Sequence, residues 1–354
     1  MLHARLLLAA ALCLVPASVA PAPAAAQQPE AAATAPADPD AAAVAVILRA
    51  SRSDRAELRA NAVEAIQHAP DRALPLVQAA LEDENAGVRF AALYVVGRQK
   101  MDDLGPAVER KLAAGDEPNP SVRAAVVFAA AQLGLADDAT LSRMARYLFH
   151  DDPRVRANAV LLMGEMKQPG AATMLRHASA KPAGDRHPQI EWALLRLQVA
   201  EALAKGGDAP PDPTSVAPEL TGDSAGAGIR AVRAAAYSTF DEVRVLAVQA
   251  LGRLGDEAFW GNLNNFLNPD DAQPVEFKLA AARSLADLGR GDRGLFVALP
   301  AAEHELPTVR AQAAFALGAM DAAEARSALA GLLSDPAEPV RLAAAAAWLE
   351  RSGS

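Results

Sequence analysis

Two short motifs in this chain carry residue types that do chemistry elsewhere. Gly222-Asp223-Ser224-Ala225-Gly226 has the spacing of a nucleophile elbow, a turn that exposes a serine at the end of a strand. His304-Glu305 pairs an imidazole with a carboxylate, two donor types that bind metals. Each motif needs a scaffold. An elbow serine needs a buried strand before it, a sheet to present it and backbone donors for an oxyanion. Here the proline-bearing stretch Pro210 to Pro218 precedes it and no glycine run lies upstream, so Ser224 reads as a loop residue. A metal needs several donors that converge. His68, His150, His177 and His187 lie in different segments without metal-ligand spacing, and His304-Glu305 sits in a turn before Pro307. Cys13 is the only cysteine, which excludes a disulfide framework and any multi-cysteine metal centre. We therefore assign no catalytic residue, no metal and no cofactor.

The elements that would have to position such groups are helices. The 354 residues are 52% hydrophobic but only 4% aromatic, and alanine supplies much of the apolar share, which favours helix over sheet. No segment alternates with period two. Lys and Arg number 34 against 43 Asp and Glu, a net charge of -9. That balance argues against a nucleic-acid binder, which needs a basic face.

An internal repeat organises nearly everything after residue 41. An aliphatic residue, a basic residue and a small-apolar run ending in Leu-Gly or similar recur, as in Val88-Arg89 to Val96-Gly97, Val155-Arg156 to Met163-Gly164, Val243-Arg244 to Leu251-Gly252 and Val309-Arg310 to Leu317-Gly318. The basic anchors are Arg59, Arg89, Arg123, Arg156, Arg196, Arg244, Lys278, Arg310 and Arg341, spaced by 30, 34, 33, 40, 48, 34, 32 and 31 residues. Such periods predict a solenoid of two-helix units. Asp152 stands where an N-cap belongs and Pro153 where the first helical residue belongs. The 40-residue step holds an insertion near Ser179 to Pro188. The 48-residue step holds Gly206 to Gly228, rich in Gly, Pro, Asp and Ser.

With this pattern, best kept from Asp152 to Gly164, the chain resembles the HEAT repeat family over about residues 41–351, and in particular the short bacterial HEAT-like repeats first named from phycobilisome lyases. The resemblance implies an all-α right-handed solenoid of about nine helix pairs. It also implies a hydrogen-bonded ladder between units, carried here by Arg89, Arg123, Arg156, Arg244 and Arg310, with Asp83, Asp152 and Asp241 as acids. Lys278 departs from the pattern, because lysine lacks the planar fork of arginine. His304-Glu305 is similar to the His-Glu pairs of deoxyhypusine hydroxylase, another HEAT-repeat protein. That family repeats the pair on several units, whereas this chain has it once.

Counting from each anchor, places three, four and seven are small or aliphatic and belong inside. Place five reads Glu64, Tyr94, Phe128, Leu161, Glu201, Gln249, Arg283, Phe315 and Ala346. A place that varies from Phe to Glu to Arg is expected to line the concave face, where solenoids bind partners. Tyr94, Phe128 and Leu161, flanked at place nine by Arg98, Gln132 and Glu165, then form either a partner-binding groove or side chains that complete the core.

The first residues carry the order of a secretory signal: Arg5, the apolar run Leu6 to Val15, then small residues up to Ala26. Cleavage after Ala26 leaves Gln27 first. The lipoprotein alternative is rejected, because Ala10 and Leu12 occupy the places before Cys13 that a lipobox fills differently. The apolar run is too short to span a bilayer. The expected organisation is a signal at 1–26, an Ala/Pro-rich leader at 27–40, units at 41–205, a loop at 206–228 and further units at 229–354. The expected function is an exported, non-catalytic scaffold binding a protein partner along the concave face, with no nucleic acid and no membrane span. The competing reading is an enzyme or small-ligand protein that uses the same groove.

Overall fold

The computed structural model describes residues 35–166 and 230–352, except 231, 239 and 240. The expected signal at 1–26, the expected insertion near Ser179, Arg196, Glu201 and the expected loop at 206–228 with Ser224 lie outside the described residues.

The described chain is an all-α solenoid of paired helices. One layer holds α1 (Pro39–Ala50), α3 (Pro70–Ala80), α5 (Gly105–Ala114), α7 (Asp138–Leu148), α10 (Trp260–Asn265), α12 (Leu295–Ala302) and α14 (Ala323–Leu332). The other holds the anchor-bearing helices α2 (Ala56–Ala65), α4 (Ala86–Gln99), α6 (Pro120–Gln132), α8 (Pro153–Glu165), α9 (Asp241–Arg253), α11 (Val275–Asp287), α13 (Pro307–Gly318) and α15 (Glu338–Ser352). Helix starts follow local chemistry. Asn85 Oδ1 accepts the Gly87 amide at 2.8 Å, Asn119 Oδ1 the Ser121 amide at 2.9 Å and Asp152 Oδ1 the Arg154 amide at 2.8 Å. Proline opens α1, α6, α8 and α13, where its missing N–H costs nothing.

Anchor-bearing helices pack on their successors: α2 on α4, α4 on α6, α6 on α8, α9 on α11, α11 on α13 and α13 on α15. The glycine that ends the repeat phrase explains how closely they approach. A Cβ on Gly97 would stand 2.6 Å from the Phe128 ring, one on Gly252 2.6 Å from Ser284 Cα, and one on Gly318 2.9 Å from Ala347 Cβ. In each case the eighth place of one helix rests on the fifth or sixth place of the next. Gly252→Ala is therefore expected to destabilise by about 1–3 kcal/mol, since the neighbouring atom is backbone and cannot swing aside. Gly331→Ala, in α14 with open space around it, is expected to stabilise by about 0.5–1 kcal/mol. Denaturant unfolding of the two variants should move in opposite directions.

The two ends of the described chain meet. α15 packs along α1 as extensively as successive anchor-bearing helices pack on each other. At this seam Trp348 Nε1 donates to Asp40 Oδ1 at 2.7 Å, and Ser352 Oγ donates to the same oxygen at 3.0 Å. The first and last described helices thus pack on each other.

Candidate functional site

The anchors come first, because they set the register of the inner face. Arg59, Arg89, Arg123, Arg156, Arg310 and Arg341 all bend Nη1 back to the two carbonyls six and five residues earlier. For Arg156 these are His150 O at 2.7 Å and Asp151 O at 2.8 Å. Three anchors also send the rest of the fork forward to a carboxylate of the next unit. Arg59 clasps Asp83 at 2.9 and 2.9 Å, Arg89 clasps Glu117 at 3.0 and 2.7 Å, and Arg310 clasps Asp335 at 2.7 and 3.0 Å. These pairings hold the Asp83 and Glu117 carboxyls below the usual carboxylate range. For Asp83 the Arg59 hydrogen bond is the largest influence. For Glu117 burial works in the opposite sense, but the Arg89 fork and the Asn119 amide outweigh it.

The acid in each fork stands six residues before the next anchor. Where that place holds His150 or His304, the imidazole does the acid's other job. Nδ1 accepts the Asp152 amide at 3.0 Å and the Leu306 amide at 3.1 Å, as Asp83 Oδ1 accepts the Asn85 amide at 2.8 Å. His304 is thus a loop acceptor.

Asp83 takes its expected place as a ladder acid between units, while the roles expected of Asp152 and Asp241 are corrected. Asp83 serves Arg59 through its carboxylate and Arg89 only through its carbonyl. Asp152 caps α8 instead of pairing with an anchor. Asp241 is an exposed partner of Arg244 at 3.1 Å in its own first turn, while Arg244 also reaches Gln273. Lys278 keeps the carbonyl half of the role, with Nζ 2.8 Å from Asp271 O, because a point charge can bind carbonyls without a fork. Glu117, Asp335 and the pair Arg233–Asp256 were not among the expected residues. The six-before-the-anchor rule finds the first two.

The inner stripe is also corrected. Tyr94 is 1% exposed and Phe128 0%, with stacked rings 5.6 Å apart, so neither offers a docking surface. Leu161 is half-buried against the same core. The Tyr94 hydroxyl donates to Glu165 Oε1 at 3.1 Å, two units further on, and Gln132 Nε2 donates to the Glu165 carbonyl at 3.3 Å. Arg98 lies over the Tyr94 ring at 5.2 Å. In the second half Arg283, 2% exposed, donates to Glu350 at 3.2 Å, again two units on, and lies 5.8 Å from the Phe315 ring. Gln249 is buried beside them in the register. Variation between charge and aromatic at place five thus marks a tightly curved inner face, where side chains of alternate units touch each other.

One inner group is perturbed. Burial pushes the Glu64 carboxyl from its ordinary 4.5 up to about 7, with the Arg98 charge pulling weakly the other way. The sign is that of an acid whose folded pKa is raised. Between about pH 4.5 and 7 the folded state keeps a proton that the unfolded state has lost. The contribution of Glu64 to stability is then greatest below pH 4.5 and is lost as pH rises to 7. Glu64→Gln is expected to be close to neutral at pH 5 and to stabilise by roughly 2–3 kcal/mol at pH 8. Urea midpoints at the two pH values check this, and a constant difference would be inconsistent with it.

A second polar-aromatic cluster lies in the other helical layer. Tyr237 is 58% exposed and Trp260 39%. Tyr237 packs against Phe259 and Phe266 at 6.3 and 5.6 Å and accepts from Asn262 Nδ2 at 2.7 Å. Arg290 lies 5.3 Å over the Trp260 ring and pairs with Glu257 at 2.7 Å. Among the described residues no three His, Cys, Asp or Glu side chains are placed to hold one metal ion, and no helix is long and apolar enough to cross a membrane.

Residues 106–194 match the family of HEAT repeats. No curated protein matches the chain. Human deoxyhypusine hydroxylase in complex with glycerol is similar at 20% identity and a TM-score of 0.38, covering 81% of this chain and 99% of that one. The complex of CpcE and CpcF of phycocyanin lyase from Nostoc sp. is similar at 19% identity and a TM-score of 0.36, covering 79% and 94%.

Proposed function

We propose that this helical-repeat protein is an exported, non-catalytic scaffold that binds a partner protein through the cluster around Tyr237, Trp260 and Arg290. The observation that carries the reading is the fixed geometry of these exposed side chains. Tyr237 is held by Asn262 and two phenylalanines, and Arg290 is held by Glu257 over Trp260. Aromatic and arginine anchors that are ordered before binding lose little entropy on docking and dominate interface energetics. Export rests on the order of charge, apolar run and small residues in the first 26 positions.

The test is capture of exported proteins by cross-linking to the mature chain, with Trp260→Ala plus Arg290→Ala beside the parent. Losing two such anchors is expected to weaken the captured partner's affinity at least about 100-fold. The unfolding midpoint should move little, since both side chains are partly exposed. Undiminished capture by the variant would remove this surface from consideration. Mass spectrometry should find Gln27 as the first residue, and an intact Met1 would overturn export.

A further inference from the structure

The cluster around Tyr237 and Trp260 is chemically lopsided. The Tyr237 oxygen accepts from Asn262 Nδ2 at 2.7 Å, so the hydroxyl hydrogen is left to donate elsewhere. Trp260 Nε1–H can only donate, and it has no acceptor among the described residues. Arg290 gives Nη1 to Glu257 at 2.7 Å and to the Leu288 carbonyl at 3.2 Å, which leaves Nε and Nη2 unused. Against these donors stand the Asn262 amide oxygen and a Glu257 carboxylate that is already paired. Charge is balanced as well. Glu257 offsets Arg290, Asp292 lies 4.0 Å from Arg293, and Asp256 is buried and taken by Arg233.

We infer that the partner is held here by a proline-rich segment in the polyproline II conformation, an inference that rests on the partner-binding reading of the same cluster. Proline has a carbonyl and no N–H, so a run of prolines offers acceptors and needs none in return. A helical segment spends its carbonyls internally, and an extended strand brings N–H groups that this surface has few acceptors to meet. The apolar proline ring lies well against indole and phenol faces. An uncharged run also complements a surface whose charges cancel. The dimensions agree. Tyr237 lies 6.3 Å from the Phe259 ring and Trp260 follows Phe259 in the chain, while two turns of polyproline II cover about 19 Å. Such a segment is formed before it docks, as the anchors are, so little ordering entropy is lost on either side.

Fluorescence anisotropy of end-labelled decamers with the mature chain tests this. A proline decamer is expected to bind at least about tenfold tighter than a glycine–serine decamer. Trp260→Ala should weaken the proline decamer at least about tenfold. Tyr237→Phe should weaken it about three- to tenfold, because the ring stays and the donor goes. Maltohexaose, which also stacks on aromatic rings but carries hydroxyl donors, should not displace the decamer. Equal binding of the two decamers, unchanged binding by Trp260→Ala, or displacement by maltohexaose overturns the inference, even where partner capture depends on Trp260 and Arg290. Capture that survives Trp260→Ala plus Arg290→Ala overturns the underlying reading as well.

Discussion

Asp256→Ala is expected to destabilise the protein by about 3–5 kcal/mol, against less than about 0.5 kcal/mol for Asp321→Ala. Both carboxylates pair with arginine, but their surroundings differ. Asp256 is fully buried and takes both arms of Arg233, whose side chain is 10% exposed, at 2.7 and 2.6 Å. Removing the acid leaves a guanidinium with little water to replace its partner. Asp321 is fully exposed where it meets Arg351, and water replaces it at once. Asp256→Asn should be intermediate, because an amide can keep one hydrogen bond but not the charge. Chemical denaturation with unchanged slope measures all three, and equal midpoints for the two alanine variants would show that the Arg233 pair is dispensable.

Phe128→Ala is expected to cost about 3–5 kcal/mol, the range for truncating a fully buried aromatic. The ring does two jobs. It stacks on Tyr94, and it lies where Gly97 lets α4 and α6 approach closely. Leu161→Ala, at the same place one unit later, should cost less, because that side chain is only half-buried. Tyr94→Phe separates packing from polarity. It keeps the stack and strips Glu165 of one donor, so a loss of about 1–3 kcal/mol is expected. If Phe128→Ala melted with the parent, the inner stripe would have to be solvent-facing after all.

The repeat and its helix pairs were legible because they rest on local rules. Prolines and Asx caps open the helices, and places three, four and seven bury small side chains. The inner stripe was misjudged for a non-local reason. Variation between Tyr94, Phe128 and Arg283 signals solvent exposure only if the face is open, and the contacts Tyr94–Glu165 and Arg283–Glu350 cross it instead. The anchors were readable, and so was the acid Asp83, but Glu117 and Asp335 were not. The Glu117 and Asp335 forks join residues 28 and 25 apart, and that separation appears only once the units are stacked. The meeting of α1 with α15 left no mark in the periodicity, since a linear array and one that turns back share the same repeat phrase.

The seam between α1 and α15 also changes how the molecule carries load. An open solenoid behaves as a spring, since each unit holds only its neighbours and small rotations add up along the stack. Here the terminal helices are bolted together through Trp348 and Asp40, so the array cannot lengthen without first breaking that contact. Tension applied to the two ends falls across one short joint before it reaches any repeat. The seam is therefore expected to give way in a single step before the described repeats extend. The protein's stretching curve should show one early rupture and then the gradual extension of an ordinary spring.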